Sequence, residues 1–118
     1  MDARVLVVDD DENMLDIVVE LLRMKGFHVD AAPGPHRALE LIEQHGPDYL
    51  LMVTDVMMPG MTGLELAAIV RSRPNPMPIV FMTGTLNIQF EPDDLLLQKP
   101  FKRVELNHLI QRALEQAA

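Results

Sequence analysis

Leu50-Leu51-Met52-Val53-Thr54-Asp55 is an apolar run that stops on a single carboxylate, and its reading decides the fold. A short apolar run followed by a loop rich in Pro and Gly, here Met57-Met58-Pro59-Gly60-Met61-Thr62-Gly63, is the pattern of a buried strand. Three further runs have the same form. Val5-Leu6-Val7-Val8 stops on Asp9-Asp10, Ile79-Val80-Phe81-Met82 on Thr83, and Leu95-Leu96-Leu97-Gln98 on Lys99. As parallel strands of one sheet, these runs would gather all their polar ends along one edge. In open α/β sheets, ligands bind at that edge, outside the carboxyl ends of the strands.

Between the runs the period changes from strand to helix. Met14, Ile17, Val18, Leu21 and Leu22 follow amphipathic helical spacing, and Gly26 is a C-cap candidate. Phe27, Val29 and Ala31 alternate with His28 and Asp30, which predicts a less buried strand. Ala38, Leu39 and Ile42 carry a second helix closed by Gly46-Pro47, and residues 64–71 a third. Pro74, Pro76 and Pro78 stiffen the entry to a strand predicted over 77–82. Leu106, Leu109, Ile110, Ala113 and Leu114 give a final helix. Strands alternating with helices imply βαβ units, right-handed crossovers and a three-layer α/β sandwich.

Bulk properties narrow the function. The 118 residues suit one domain, read here over 1–118, and 48% apolar content suits a globular core. Cysteine is absent, which excludes disulfides and thiolate chemistry. A net charge of −8 disfavours nucleic-acid or acidic-membrane binding by this domain. Neither a membrane-spanning stretch nor a secretory signal is legible, so a cytoplasmic location is expected.

Asp9, Asp10 and Asp11 are consecutive. One of them is expected to N-cap the first helix, but capping does not require three. Clustered carboxylates at a strand end repel one another, and a hard divalent cation would relieve the cost. Asp55 lies at the end of a strand expected beside the first, so it can face Asp9 and Asp10. A hydroxyl at Thr83, with Gly84 permitting close approach, and an ammonium at Lys99 complete the set. An acid pair, a lone acid, a hydroxyl and an ammonium fit a Mg²⁺-assisted transfer of phosphate onto a carboxylate. The methionines read as packing and loop-lining groups, because thioethers suit soft metals. His28, His36, His45 and His108 show no metal-ligand spacing.

Taken together, Val7-Val8-Asp9-Asp10, residues 54–63, Met82-Thr83-Gly84 and Lys99-Pro100-Phe101 resemble the receiver domains of two-component response regulators, over nearly the whole chain. The resemblance implies a flavodoxin-like doubly wound fold, with a five-stranded parallel sheet in the order 2-1-3-4-5. It implies that Asp55 is the phosphoacceptor. It implies Mg²⁺ on Asp10, Asp55 and the backbone carbonyl of Met57, with Asp9 assisting. It further implies Thr83 and Lys99 as contacts of the phosphoryl group, and a cis bond between Lys99 and Pro100. The implied partner is a histidine kinase or a histidine phosphotransfer domain, and the implied state a monomer or weak dimer.

The chain departs from that family between Gly84 and Gln98. Gly84 to Asp94 leaves room for at most a turn or two of helix, so the fourth helix is expected to be short or missing. The aromatic switch position three residues before the lysine is Leu96, which puts the usual ring-rotation coupling in question. The flanks of Asp55 and Lys99 look more like receivers of hybrid histidine kinases than like DNA-binding regulators. Two rival readings follow: a receiver-like interaction module that works without phosphorylation, and a Mg²⁺-dependent phosphohydrolase. The second needs an acid two residues after the nucleophile, where this chain has Met57.

Overall fold

The computed structural model describes residues 3–85 and 87–116. Five strands form one parallel sheet: β1 (Arg4–Val8), β2 (His28–Ala32), β3 (Tyr49–Asp55), β4 (Ile79–Thr83) and β5 (Leu95–Gln98). Their order is β2-β1-β3-β4-β5, as expected. Helices α1 (Glu12–Met24), α2 (Pro35–His45), α3 (Gly63–Arg71) and α4 (Arg103–Gln116) complete the chain, with a 3-10 turn at Gly46–Asp48.

Side chains alternate along each strand, so a sheet covered on both faces has two cores. Val5, Val7, Leu51, Val53, Val80 and Met82 pack with α1 and α4 on one face. Leu6, Val8, Met52, Ile79 and Phe81 pack with α2 and α3 on the other. Each fully buried Leu or Val among them contributes roughly 1.5–3 kcal/mol relative to exposure.

The differences from expectation have local causes. In α1 the buried stripe is Leu15, Val18, Val19 and Leu22, whereas Ile17 is 51% exposed. Both stripes satisfy helical spacing, and docking on the sheet selects between them. In β2, Ala31 is exposed and Ala32 buried. The strand lies at the sheet edge, and on Ala31's face it is Val29 that is buried with α1. β4 starts at Ile79 rather than Met77, since Pro78 has no N–H for the ladder and offers only its carbonyl, to Met52 N–H at 3.0 Å. Between β4 and β5 no helix occurs among the described residues, which bears out the missing fourth helix. No helix of the described residues is long and apolar enough to cross a membrane.

At the end of the sheet remote from the polar edge, a register shift between Arg4 and Val5 sets Tyr49 opposite Arg4. The Tyr49 hydroxyl and the Arg4 guanidinium each donate to Asp30 Oδ2 at 2.7 Å. Burial alone would raise the Asp30 carboxyl, but these two donors outweigh it and hold the group below the usual carboxylate range. A folded value below the unfolded one gives stability that is complete above the ordinary carboxylate value and is lost as pH falls. Asp30→Asn is therefore expected to flatten the acid limb of the stability curve, measured by urea unfolding at a series of pH values. Tyr49→Phe should cost about 1–3 kcal/mol at neutral pH, and no change there would refute the bond's role.

Candidate functional site

The parallel register decides where the strand ends fall. Val8 pairs with Thr54, Asp55 with Met82, and Thr83 with Gln98. The residues that close or immediately follow the strands, Asp9, Asp55, Thr83 and Lys99, therefore gather along the carboxyl edge, with Asp9 and Asp55 level, Thr83 one residue beyond them and Lys99 two.

Each is held locally. The Asp9 N–H bonds Ala32 O at 3.1 Å, and the residue is fully buried. Its Oδ1 accepts from Asp11 N–H at 2.9 Å. Asp11 in turn N-caps α1, accepting from Asn13 and Met14 N–H at 3.0 and 3.3 Å. The acidic triplet thus divides its work: Asp11 caps, Asp9 is buried, and Asp10 stays exposed. Asp55 is 6% exposed, and its Oδ1 accepts from Val56 N–H at 3.0 Å. The Lys99 N–H bonds Thr83 O at 2.8 Å, tying the end of β5 to that of β4. The Lys99–Pro100 peptide is cis.

Lys99 connects the groups. Its Nζ lies 3.2 Å from Asp9 Oδ2 and 3.2 Å from Asp55 Oδ1. Asp9, Asp10 and Asp55 each offer an oxygen, and these three atoms lie within 4.8 Å of one another. Among the described residues, no other group of three or more acidic or histidine side chains is so disposed. Met57 lies two residues past Asp55, with its side chain 60% exposed.

Three carboxylates therefore face one ammonium. Burial pushes the Asp55 carboxyl up, the charge of Asp9 pushes it further, and Lys99 opposes both without cancelling them. Burial disfavours the Lys99 ammonium, but Asp55 and Asp9 together outweigh this and raise it. Thr83 is fully buried, and its hydroxyl donates to Thr85 O at 2.7 Å.

Gly63, the first residue of α3, matters in a way that the sequence reading missed. A Cβ placed there would overlap the backbone oxygen of Asp55 and lie 3.0 Å from Val56 Cα. The Gly63 N–H bonds Val56 O at 2.8 Å, so α3 begins directly against the backbone that carries Asp55. The available signal was a glycine at the start of a helix, just inside a Thr62–Glu65 capping box, where it brings no helix propensity.

A family model described as the response regulator receiver domain matches residues 5–111. Among curated proteins, the transcriptional regulatory protein YrkP of Bacillus subtilis is 36% identical over 114 residues, 91% of this chain and 47% of that protein. The chain spans about a quarter to a half of the length of the curated relatives it matches. A response regulator receiver protein from Sinorhizobium medicae has the same fold with a TM-score of 0.87 and 27% identity, covering 99% of this chain and 98% of that one. The receiver domain of the hybrid histidine kinase CckA gives a TM-score of 0.82 at 28% identity, covering 95% of this chain and 99% of that one. With the sheet order and the carboxyl-edge cluster, these matches establish that the chain belongs to the response regulator receiver domains of two-component systems.

Proposed function

We propose that this receiver domain, read as one unit over residues 1–118, takes a phosphoryl group onto Asp55 from a phosphohistidine. The observation that carries the reading is the placement of Lys99 between Asp9 and Asp55, with Asp10 beside them. Asp55 Oδ1 is occupied by Val56 N–H and Lys99, while Oδ2 accepts no hydrogen bond from the described residues. Oδ2 is therefore the attacking oxygen. It forms the new O–P bond as the donor's P–N bond breaks, and the bond pair leaves on the imidazole nitrogen.

The donor set fits Mg²⁺. Three converging hard oxygen ligands carry an excess of negative charge, which adds to burial in raising the Asp55 carboxyl. Asp10 and Asp55, with the Met57 carbonyl and with Asp9 assisting, would hold it. When bound, Mg²⁺ supplies positive charge against the phosphoryl oxygens. Lys99 supplies a second cation and Thr83 a hydroxyl donor, so the residues act mainly by position and electrostatics. The product adds roughly −1.5 to −2 charges at the site.

Phosphate transfer to a single side chain is not turnover of a substrate, and the position two residues past Asp55 carries Met57 rather than an acid. The phosphate donor, or onward acceptor, is a histidine kinase or histidine phosphotransfer domain. A cytoplasmic monomer or weak dimer, with no nucleic acid bound by this domain, completes the reading. Relay within a hybrid kinase system accords with the similarity to the CckA receiver, and output to transcription with the higher identity to YrkP.

The test is intact mass after incubation with Mg²⁺ and phosphoramidate or acetyl phosphate. One phosphoryl group is expected, absent with EDTA and absent in Asp55→Asn. No adduct on folded protein would overturn the reading in favour of an interaction module that works without phosphate. Mg²⁺ should also raise the melting temperature. At about 100 times the dissociation constant the gain is roughly 2.7 kcal/mol, and Asp10→Asn should remove most of it.

A further inference from the structure

Leu51, Met52, Val53 and Thr54 of β3 are all fully buried, and Thr54 alone of the four is polar. Valine has its shape without the hydroxyl, and burying a hydroxyl costs stability unless it is bonded. Side chains alternate along the strand, which sets Thr54 on the face of Met52, under α2 and α3, and opposite the Asp55 carboxylate. From there the hydroxyl makes one hydrogen bond among the described residues, donating to Asp55 O at 3.0 Å. β1 reaches only to the pair Val8–Thr54, so the Asp55 carbonyl lies past the last rung of that ladder.

The N–H of the same peptide serves the site. Val56 N–H is shared between two acceptors, Met82 O at 3.1 Å and Asp55 Oδ1 at 3.0 Å. A peptide is planar, so its carbonyl and its N–H turn together. The Thr54 hydroxyl therefore acts on Asp55 Oδ1 through a rigid plane. Oδ1 takes its other bond from Lys99 Nζ at 3.2 Å, and these two donors fix the rotation of the carboxylate. Gly63 bounds the plane by contact, since a Cβ there would overlap Asp55 O. The Thr54 hydroxyl holds the plane by a directional bond.

Without that hydroxyl, the Asp55 carbonyl is left unpaired in a buried setting and gains by turning toward another donor. The Val56 N–H turns with it, and Oδ1 loses a donor. The carboxylate can then rotate, which carries Oδ2 off the line of attack. A misplacement of about 1 Å at reacting atoms costs on the order of a hundredfold in rate.

We propose, on the phosphoacceptor reading above, that Thr54 is a positioning residue for phosphoryl transfer: its hydroxyl, through the Asp55–Val56 peptide, holds Asp55 Oδ2 toward the incoming phosphorus. Thr54 touches neither the donor nor the metal ligands' oxygens. It acts from the far face of the sheet.

Two pairs of whole-chain proteins isolate the hydroxyl. The unsubstituted chain and Thr54→Val share a shape, while Thr54→Ser and Thr54→Ala both lack the methyl group. Uptake from phosphoramidate at saturating Mg²⁺ is timed by intact mass, under conditions where urea unfolding shows each protein folded. Thr54→Val is expected to be about ten- to a hundredfold slower than the unsubstituted chain, and Thr54→Ala slower than Thr54→Ser by a similar factor. Thr54→Ser should stay within about threefold of the unsubstituted chain, a rescue that stability alone does not provide. Amide exchange read by NMR gives the second readout. Val56 should exchange about tenfold faster in Thr54→Val, while Met52, whose N–H bonds Pro78 O, stays unchanged. Equal uptake rates within both pairs would overturn the positioning role and leave phosphorylation standing. Should Thr54→Val not fold, the serine and alanine pair decides by itself. Slow uptake with an unmoved Val56 amide would overturn the route through the peptide. No adduct on the folded unsubstituted chain would overturn this role and the phosphoacceptor reading together.

Discussion

Gly63→Ala is expected to lower stability by about 3 kcal/mol, a fall in melting temperature on the order of 10 °C. The methyl group would meet the Asp55 carbonyl oxygen and Val56 Cα, which are backbone atoms with no rotamer to escape into. Relief requires α3 to move away from the end of β3, which breaks the Gly63 N–H bond to Val56 O. The same movement displaces the Asp55 backbone, so phosphoryl uptake should fall with stability. Gly84→Ala is the control, because a Cβ at Gly84 meets nothing within 4 Å. It should stay within about 0.5 kcal/mol of the parent. Urea unfolding of both variants decides the matter, and equal midpoints would sink the close-approach argument.

Lys99→Met is expected to cost about 3–5 kcal/mol at neutral pH without divalent cations, because it leaves Asp9 and Asp55 buried with no cation. Methionine keeps the apolar stem, so the loss reports charge rather than volume. The pH dependence has a definite sign. The Asp55 carboxyl sits above its ordinary value, so the native state holds that proton more tightly than the unfolded chain. Its contribution makes stability fall as pH rises from the ordinary carboxylate value through the raised one. Removing Lys99 takes away the influence that lowers it, so the decline should extend to higher pH. Asp55→Asn should abolish that decline and raise the stability of the cation-free protein. In the double variant the cost of losing Lys99 should shrink, giving a coupling of roughly 1–3 kcal/mol between the two sites. Additive effects would show that the ammonium and carboxylate do not act as a pair.

The four runs Val5–Val8, Leu50–Thr54, Ile79–Met82 and Leu95–Gln98 made the sheet legible, because strands buried on both faces have to be apolar throughout. Their polar ends made the site legible for the same reason: a carboxylate or ammonium that closes such a run must sit at the sheet edge. The short stretch before Leu95 made a short or missing fourth helix legible, since Gly84 to Asp94 holds at most a turn or two. Other features depended on contacts between segments distant in sequence. The helical spacing read in α1, Met14-Ile17-Val18-Leu21-Leu22, overlaps the buried stripe Leu15-Val18-Val19-Leu22, and only docking on the sheet centres the stripe there, with Met14 and Leu21 at its margin and Ile17 outside it. Gly63 looks like any loop glycine until α3 is laid against Asp55, where the space for one methyl group is already filled by backbone. The commitment of the Thr83 proton to Thr85, and the hold of Arg71 on Asp94, depend on distances of a few ångströms between side chains. Periodicity and residue type determine which groups reach an edge or a face; the partner each finds there is decided by packing, because hydrogen bonds and steric contacts fade within an ångström or two.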